Sequence, residues 1–485
     1  MNAILTLVHI FGFITIGFSG LMTTCLLTSL ISQDGTSNAF FESTLITFFS
    51  GLLMYIPTLR RPKKVSRQSG FLLVAATWSL IPLFCTLPLI LYLPEVSFIE
   101  AYFETVSGLT TTGATILSGI DNLPMSINLW RHELNWIAGM GIIIFAVAIL
   151  PILGIGGMQL YIAESPGTIK DSDLPPRIAQ TAKALWLVYA GISLACIIAL
   201  RLAGMNWFDA ICHAFAAMSL GGFSTHDNSV GFFDSVPIEV VLTIFQLLAA
   251  INFATHFIVL KKGSLRPYLK DMEATSFLML VLGSCVMTAA VLWQAGTYPS
   301  FFTALRHASF NLVTIATDCG FASQDFNRWP IFVPMWMLFL SCLSASSGST
   351  GGGIRMIRTI ILLKQARLEF LKFIHPASIQ LMKIGDTVVS SNIITSVTGF
   401  IFLYFICIVI LVFTLLFSGL DFITAFSAII ACFNNAGPGL GQVGPATNYA
   451  SLNDFQMGVC IVAMLLGRVQ IFSIVILFVP EFWRK

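Results

Sequence analysis

Charged residues are scarce in this chain. Only 10% of its 485 residues are Asp, Glu, Lys or Arg, whereas 56% are hydrophobic, and the formal net charge is +2. A soluble domain carries about 25% charged residues. The composition therefore excludes an ordinary soluble protein and predicts an integral membrane protein in contact with lipid. It gives no reason to expect a nucleic-acid partner.

Paired cysteines and clustered metal ligands are also lacking. The ten cysteines stand singly, with no CxxC pair, which is typical of small buried hydrophobes rather than of a disulfide or zinc framework. His9, His213, His256 and His307 are isolated and fit packing or hydrogen-bonding roles better than ligation. Without converging catalytic groups or a soluble domain, we expect neither an enzyme nor a receptor.

Long apolar runs are what the chain has in excess. A helix that crosses a membrane needs roughly 20 apolar residues. The candidate spans are 3–31, 43–59, 71–93, 135–160, 184–203, 236–260, 274–294, 330–365 (interrupted), 393–417 and 456–479. The first lacks a basic n-region and is too long for a signal peptide, so we expect it to be retained. Four runs are too short to cross and predict re-entrant helices: 98–112, 206–219, 299–317 and 421–434.

Basic residues predict the orientation. Twenty of the 25 Lys and Arg residues lie at 60–67, 170–183, 261–270, 355–383 and the C-terminus. The positive-inside rule assigns these segments to the cytoplasm, so the four short helices enter from outside. The opposite face carries carboxylates that we expect to line a cation-concentrating vestibule. They include Glu95, Glu100, Glu104, Asp121, Asp209, Asp227, Asp234, Asp318, Asp325, Asp421 and Asp454.

A pattern of span, short helix, glycine turn and span occurs four times after residue 68. Each short helix opens with aromatic-x-x-Ala, at 98–101, 207–210, 301–304 and 422–425. Each ends in polar-x-x-Gly, and we call these segments turns 1 to 4. They comprise Thr110, Thr111, Thr112 and Gly113; Ser219, Leu220, Gly221 and Gly222; Thr317, Asp318, Cys319 and Gly320; and Asn434, Asn435, Ala436 and Gly437. From Ala to Gly the spacing is 12, 12, 16 and 12 residues, so the third unit is one helical turn longer or its alignment slips.

A single such glycine would be explained as a helix C-cap. Four copies at matching places favour a second interpretation, because non-helical backbone at membrane depth must be buried or line water. Four turns around one axis would present a ring of carbonyl oxygens to a cation, with the residue three before each glycine adding a side-chain oxygen. The negative ends of the short helices would face the ion. A ring of neutral oxygen ligands suits a monovalent cation better than a divalent one.

In these four units the chain resembles the Trk/Ktr/HKT superfamily of potassium transporters, and its extra N-terminal helix pair resembles the bacterial TrkH branch. The resemblance implies four pseudo-symmetric repeats around one pore: 1–67 as the helix pair, then repeats 68–164, 165–270, 271–372 and 373–485. It implies that K⁺ binds at Gly113, Gly222, Gly320 and Gly437. Sodium-preferring relatives carry serine at the first of these positions, so Gly113 implies potassium. Asn434, in place of a hydroxyl residue, departs from fourfold symmetry.

A glycine-rich stretch, "SASSGSTGGGIR" at 344–355, interrupts the span 330–365. Each glycine weakens a helix by about 1 kcal/mol relative to alanine. One interpretation is a kink for close helix packing; the other, which the resemblance supports, is an unwound loop that gates the pore. A phosphate-binding loop is excluded because no GK[ST] follows. The gate residues would be Ser346, Ser347, Gly348, Ser349, Thr350, Gly351, Gly352 and Gly353.

Arg468 lies about twelve residues from either end of the run 456–479. An arginine at that depth indicates a functional site. It could be a structural residue satisfied by carbonyls. We expect it instead to face the cavity below the turns, hold the loop 344–353 and bias the gate shut.

The match of "GLGQVG" at 439–444 to a dinucleotide fingerprint is accidental, because no strand precedes it. The resemblance implies a homodimer in a bacterial inner membrane and a separate TrkA-like cytosolic subunit that binds nucleotides. Its docking surface would be the loops 60–70, 164–183, 261–273 and 364–386.

Two transport mechanisms remain open. The first is a gated, channel-like potassium pathway; the second is a symporter that couples potassium to Na⁺ or H⁺. The repeats are parallel and no carboxylate is expected in mid-span, which favours the channel, since coupled transporters place ionisable groups at the midplane between inverted repeats.

Overall fold

Apolar helices make up most of the computed structural model, which describes residues 2–59, 67–144, 174–343, 345–376, 381–385, 387–469 and 471–484. In these ranges the α-helices are α1 (Asn2–Ser32), α2 (Ser37–Tyr55), α3 (Arg67–Cys85), α4 (Leu87–Tyr92), α5 (Phe98–Leu109), α6 (Met125–Ile144), α7 (Leu174–Leu202), α8 (Trp207–Ser219), α9 (Val236–Ala249), α10 (Phe253–Lys262), α11 (Arg266–Lys270), α12 (Met272–Gln294), α13 (Phe301–Ala316), α14 (Phe332–Leu343), α15 (Met356–Ile374), α16 (Ser391–Phe417), α17 (Phe422–Asn434), α18 (Asp454–Arg468), α19 (Ile471–Val475) and α20 (Pro480–Trp483). A short antiparallel hairpin, β1 (Lys383–Ile384) with β2 (Thr387–Val388), precedes α16.

Six helical segments within these ranges are long and apolar enough to cross a membrane, and they match six of the predicted spans. The interruption in 330–365 is also present, since α14 and α15 are separate helices. The candidate spans 236–260 and 456–479 are each a bent pair of helices that together are long and apolar enough to cross, rather than one straight helix. The first bends by 97° between α9 and α10, and the second by 111° between α18 and the segment from Ile471. The part of the predicted span 135–160 that follows Ile144 lies outside the described residues. Residues 60–66 and 164–173 of the predicted docking loops lie outside them as well.

The four short helices α5, α8, α13 and α17 start with the same local signal. A polar residue immediately before each helix accepts a hydrogen bond from the backbone N–H three residues on, as N-cap residues do. These caps are Ser97, Asn206, Ser300 and Asp421. α13 has 16 residues where the other three have 12 or 13. The longer spacing in the third unit is therefore an extra helical turn, of about 3.6 residues.

Packing between the units follows a closed cycle. Each short helix packs on the helix that follows the glycine turn of the preceding unit: α8 on α6, α13 on α9, α17 on α14, and α5 on α18. One buried cluster extends from Phe103 to Ile471 around these helices, and a second joins α1 and α2 to the first unit. The N-terminal pair is thus attached outside the cycle.

α1 and α2 cross at two glycines. A Cβ on Gly12 would lie 2.9 Å from the carbonyl oxygen of Gly51 and 2.9 Å from the amide nitrogen of Tyr55. Gly17, on the same helix, has nothing within 4 Å of its Cβ position. Small residues at a helix crossing let two backbones approach closely within a membrane.

We predict that Gly12→Leu separates α1 from α2 and costs about 1–3 kcal/mol, as overpacking does in a close-packed interior. Scanning fluorimetry of the detergent-solubilised protein should show a lower melting temperature for Gly12→Leu and no change for Gly17→Leu. Equal losses in both variants would contradict the assigned crossing.

Candidate ion pathway

All four turns have the same backbone conformation. In each, the N–H of the residue before the glycine donates to the carbonyl five residues back, at 2.8 Å in every case. The residue two before the glycine adopts a left-handed conformation: Thr111 (φ 50°), Leu220 (54°), Asp318 (61°) and Asn435 (61°). This is the Schellman ending of a helix, with the left-handed cap at a non-glycine residue. Such a residue costs about 1–3 kcal/mol and is typical of functional sites.

The glycines themselves are therefore not the helix caps, and the C-cap explanation is wrong for them. Gly113, Gly222, Gly320 and Gly437 lie two residues beyond the cap, again with positive φ (78°, 63°, 92° and 85°). Glycine adopts this conformation at no steric cost.

Contacts between the turns explain the need for glycine. A Cβ on Gly113 would collide with the carbonyl oxygen of Gly221, the residue before the next turn's glycine. The same collision occurs between Gly222 and the carbonyl of Cys319, between Gly320 and that of Ala436, and between Gly437 and that of Thr112. The contacts run from turn 1 to 2, 3, 4 and back to 1. Four glycines and four carbonyl oxygens therefore close one cycle.

The residues three before the glycines direct their side chains into the protein. The hydroxyls of Thr110, Ser219 and Thr317 donate to carbonyls of their own helices at 2.7–2.8 Å. The amide of Asn434 instead donates to Ser341 at 2.9 Å and accepts from Tyr404 at 2.5 Å. The asymmetry noted in the sequence at Asn434 thus corresponds to different contacts.

A buried ion pair, which the sequence analysis missed, supports the segments that follow turns 1 and 2. Arg131 on α6 binds Glu104 on α5 at 2.8 Å, and both side chains are 1–2% exposed. Glu104 also accepts from the hydroxyl of Thr115, and Arg131 donates to the carbonyl of Ser224 at 3.2 Å. The neighbouring His132 bonds to the carbonyl of Phe223. The signal in the sequence was "RHE" at 131–133 inside an apolar helix.

Glu104 therefore does not line an outer vestibule, contrary to the sequence-based expectation. Asp209 (5% exposed) and Asp318 (1%) are buried as well. Glu95, Asp121, Asp227, Asp234, Asp421 and Asp454 are exposed.

Outer segments of units 1 and 2 are joined through His226. Its Nδ1 binds a carboxylate oxygen of Asp121, and its Nε2 lies 3.4 Å from Asp209. Its ring stacks on Phe232, 3.6 Å between centroids. Burial lowers the pKa of His226, but the hydrogen bonds to the two carboxylates outweigh it and raise the pKa above 6.5. Burial raises the pKa of Asp209, but the hydrogen bonds from His226 and Thr225 outweigh this effect and lower the pKa to about 2.

Directly against turns 2 and 4 lies the glycine loop, residues 345–355. A Cβ on Gly352 would collide with the carbonyl of Asn434, and the Thr350 hydroxyl donates to the carbonyl of Met218 at 3.1 Å. At its other side, the N–H of Ser347 donates to Glu273 at 2.8 Å and the carbonyl of Gly348 accepts from Phe253 at 3.2 Å. The loop is therefore a packed, hydrogen-bonded segment rather than a kink between continuous helices.

Remaining members of the predicted gate lie in the same segment. Ser346 donates its N–H to Ala250 at 2.9 Å, and Ser349 donates its hydroxyl to the carbonyl of Ser346 at 2.6 Å. Gly351 lies against Ala345, and Gly353 has a positive φ of 63°.

Arg468 is not in the middle of a continuous span, because α18 ends at this residue and the chain then bends. Its side chain is 8% exposed, and Nη1 donates to the carbonyl oxygen of Thr350 in the glycine loop at 2.9 Å. The arginine and the loop are thus in direct contact.

The chain is similar to known TrkH proteins over nearly its whole length. The family model TrkH, a cation transport protein, matches residues 36–485. The Trk system potassium uptake protein TrkH of Halomonas elongata is 42% identical over 480 residues, 99% of each chain. The protein of the same name in Escherichia coli K12 is 40% identical over 98% of this chain and 99% of its own. A crystal structure of the potassium transporter TrkH from Vibrio parahaemolyticus superposes with a TM-score of 0.92 at 38% identity, covering 99% and 100% of the two chains.

We predict a pH-dependent contribution of His226 to stability. Because its pKa is raised, the charged contacts to Asp121 and Asp209 are complete below pH about 6.5 and are lost as the pH rises through the raised pKa. Two other groups lie next to the His226 imidazole. Ser224 accepts from the backbone N–H of His226 and bonds to His213, and the N–H of Asp227 donates to Asp121. The melting temperature should fall in the parent protein as the pH rises from about 6.5 through the raised pKa of His226. This fall should be smaller in His226→Gln and unchanged in the control His375→Gln; an undiminished fall in His226→Gln would refute the assignment.

Proposed function

The chain belongs to the TrkH family of cation transport proteins, and we propose that it takes up potassium across the bacterial inner membrane through the ring of its four glycine turns. The family resemblance drawn from the sequence is confirmed, and the chain is an integral membrane transport protein rather than an enzyme. For this function the chain must bind K⁺ as its transported ion, and we expect no other cofactor.

The closed cycle of turns carries this proposal. Backbone carbonyls arranged around one axis can replace the hydration shell of a monovalent cation. The oxygens available for this are those of Thr112, Gly221, Cys319 and Ala436, which adjoin the four glycines, together with the carbonyls of the glycines. The four short helices all end at the cycle, so the negative ends of their dipoles add to its attraction for a cation.

Gly113 bears on the choice of ion. A side chain at this position would reach the carbonyl of Gly221 and would change the distances in the ring. The absence of a side chain at Gly113 is consistent with potassium as the favoured ion.

The glycine loop is the proposed gate. It lies against the turns 2 and 4 and is held by Arg468 through Thr350. A fixed guanidinium at this point disfavours a cation in its neighbourhood, and its hydrogen bond fixes the loop. Both effects reduce flux while the loop stays in this position.

Ion-coupled symport is the alternative mechanism. One argument against it was that no carboxylate is expected in mid-span. Glu133 contradicts that argument, because it is buried on α6 and accepts a hydrogen bond from Thr24 of α1 at 2.6 Å. The parallel arrangement of the repeats still favours a channel-like pathway. Reversal potentials in liposomes under crossed potassium and proton gradients distinguish the two mechanisms, because a passive pathway follows the potassium gradient alone.

Partners complete the proposal. The relatives are named as proteins of a Trk system, a name that implies further components. We expect a homodimer and a TrkA-like nucleotide-binding subunit that docks on the cytoplasmic segments 261–273 and 364–386, together with the loops 60–70 and 164–183.

We predict that Gly113→Ser raises the permeability of Na⁺ relative to K⁺ several-fold, because the side chain intrudes on the carbonyl of Gly221. The measurement is the bi-ionic reversal potential of purified protein in liposomes. Gly119→Ser is the matched control, since Gly119 also has a positive φ (72°) but an open Cβ position. Unchanged selectivity in Gly113→Ser would mean that the filter is assigned wrongly.

We predict that Arg468→Ala raises potassium flux, because it removes both the charge and the hydrogen bond to the loop. Flux is measured by ⁸⁶Rb⁺ uptake into liposomes at matched protein content. Arg484→Ala, at an exposed position after α20, should leave uptake unchanged. Equal or lower uptake in Arg468→Ala would contradict the gate.

A further inference from the structure

The carbonyl oxygen of the turn 4 glycine has a hydrogen-bond donor. The hydroxyl of Tyr449 donates a hydrogen bond to the carbonyl oxygen of Gly437 at 2.8 Å. Within the described ranges, no hydrogen-bond donor reaches the carbonyl of Gly113, Gly222 or Gly320. One of the four glycine carbonyls therefore has a protein partner of its own.

The tyrosine is held firmly. Its side chain is 2% exposed, and its ring packs against Phe103 of α5 with 5.3 Å between centroids. Its N–H donates to the carbonyl of Thr115 at 2.9 Å, two residues after the glycine of turn 1. The preceding Asn448 donates to Ser118 at 2.7 Å. The segment that follows turn 4 is thus attached to the segment that follows turn 1.

The direction of the hydroxyl proton is also determined. Cys432 on α17 directs its thiol to the Tyr449 oxygen at 3.7 Å. The oxygen accepts there, so its single proton is left for Gly437.

We propose that the Tyr449 hydroxyl is a positioning group that sets ion selectivity at turn 4. This inference rests on the proposed function of the ring. A carbonyl oxygen with one lone pair engaged by a donor binds a cation more weakly. The ring therefore has a lower field strength at one corner, which favours the larger, less strongly hydrated K⁺ over Na⁺. This is the account of filter selectivity in which the number and field strength of the carbonyl ligands, rather than the size of the cavity, discriminate between ions.

Tyr449→Phe tests the inference, because it removes one oxygen and keeps the ring. In liposomes we expect the permeability of Na⁺ relative to K⁺ to rise several-fold. Tyr102→Phe is the matched control: it also loses a hydroxyl that donates to a backbone carbonyl, that of Ser79 at 2.8 Å. It should leave the ratio unchanged. If Tyr449→Phe instead alters the fluxes of K⁺, Rb⁺ and Na⁺ by one common factor, or not at all, the tyrosine is only structural and the inference fails.

Gly113→Ser, measured in parallel, separates this inference from the function on which it rests. A changed ratio in Gly113→Ser with an unchanged ratio in Tyr449→Phe refutes the tyrosine alone, whereas unchanged ratios in both refute the ring. Should Tyr449→Phe fail to assemble, Asn448→Ala loosens the same segment without removing the hydroxyl. It should raise the ratio by a smaller factor, and no rise would overturn the inference.

Discussion

The approach of each turn glycine to a carbonyl of the next turn is the contact on which the rest of the structure depends. No side chain fits between Gly222 and the carbonyl of Cys319, or at the three corresponding junctions. The short helices must therefore end at one common place, and their N-caps and packing partners correspond from unit to unit. Even the longer α13 adds its extra residues before the Schellman ending, so the geometry of turn 3 stays the same as that of the other turns.

Maintaining this geometry requires support from outside the turns. Buried charges supply it at the first junction, where Arg131 and Glu104 fix the segments after turns 1 and 2. At the other junctions neutral polar contacts contribute: Ser229 to Ala322 between units 2 and 3, Asn327 to Gly441 between units 3 and 4, and Tyr449 to Thr115 between units 4 and 1. Units 2 and 3 are also joined by the ion pair of Arg306 with Glu239 at 2.7 Å. The supports differ although the turns are alike. The four turns therefore share one geometry, whereas the segments that follow them do not share their contacts.

That contrast explains what the sequence could predict. Local signals predicted the short helices closely: the run 206–219 corresponds to the helix Trp207–Ser219, and 421–434 corresponds to Phe422–Asn434. A polar cap marks the start of each helix, and a turn marks its end. The 97° bend between α9 and α10 was missed because its one local signal, the asparagine in "LLAAINF" that caps α10, stands alone in an apolar run. Its cause is tertiary: Ala250 and Phe253 bond to Ser346 and Gly348 of the glycine loop. The burial of Glu104 and the left-handed caps at non-glycine residues likewise depend on partners distant in sequence.

The central claim is that the four turns form one binding site for K⁺. It is tested most directly by anomalous diffraction from crystals grown in Rb⁺, a heavier substitute for potassium. The account predicts an anomalous peak on the axis of the cycle, within coordination distance of carbonyl oxygens from all four turns. Peaks confined to other places, such as the exposed carboxylates Asp121 and Asp227, with none among the turns, would contradict it.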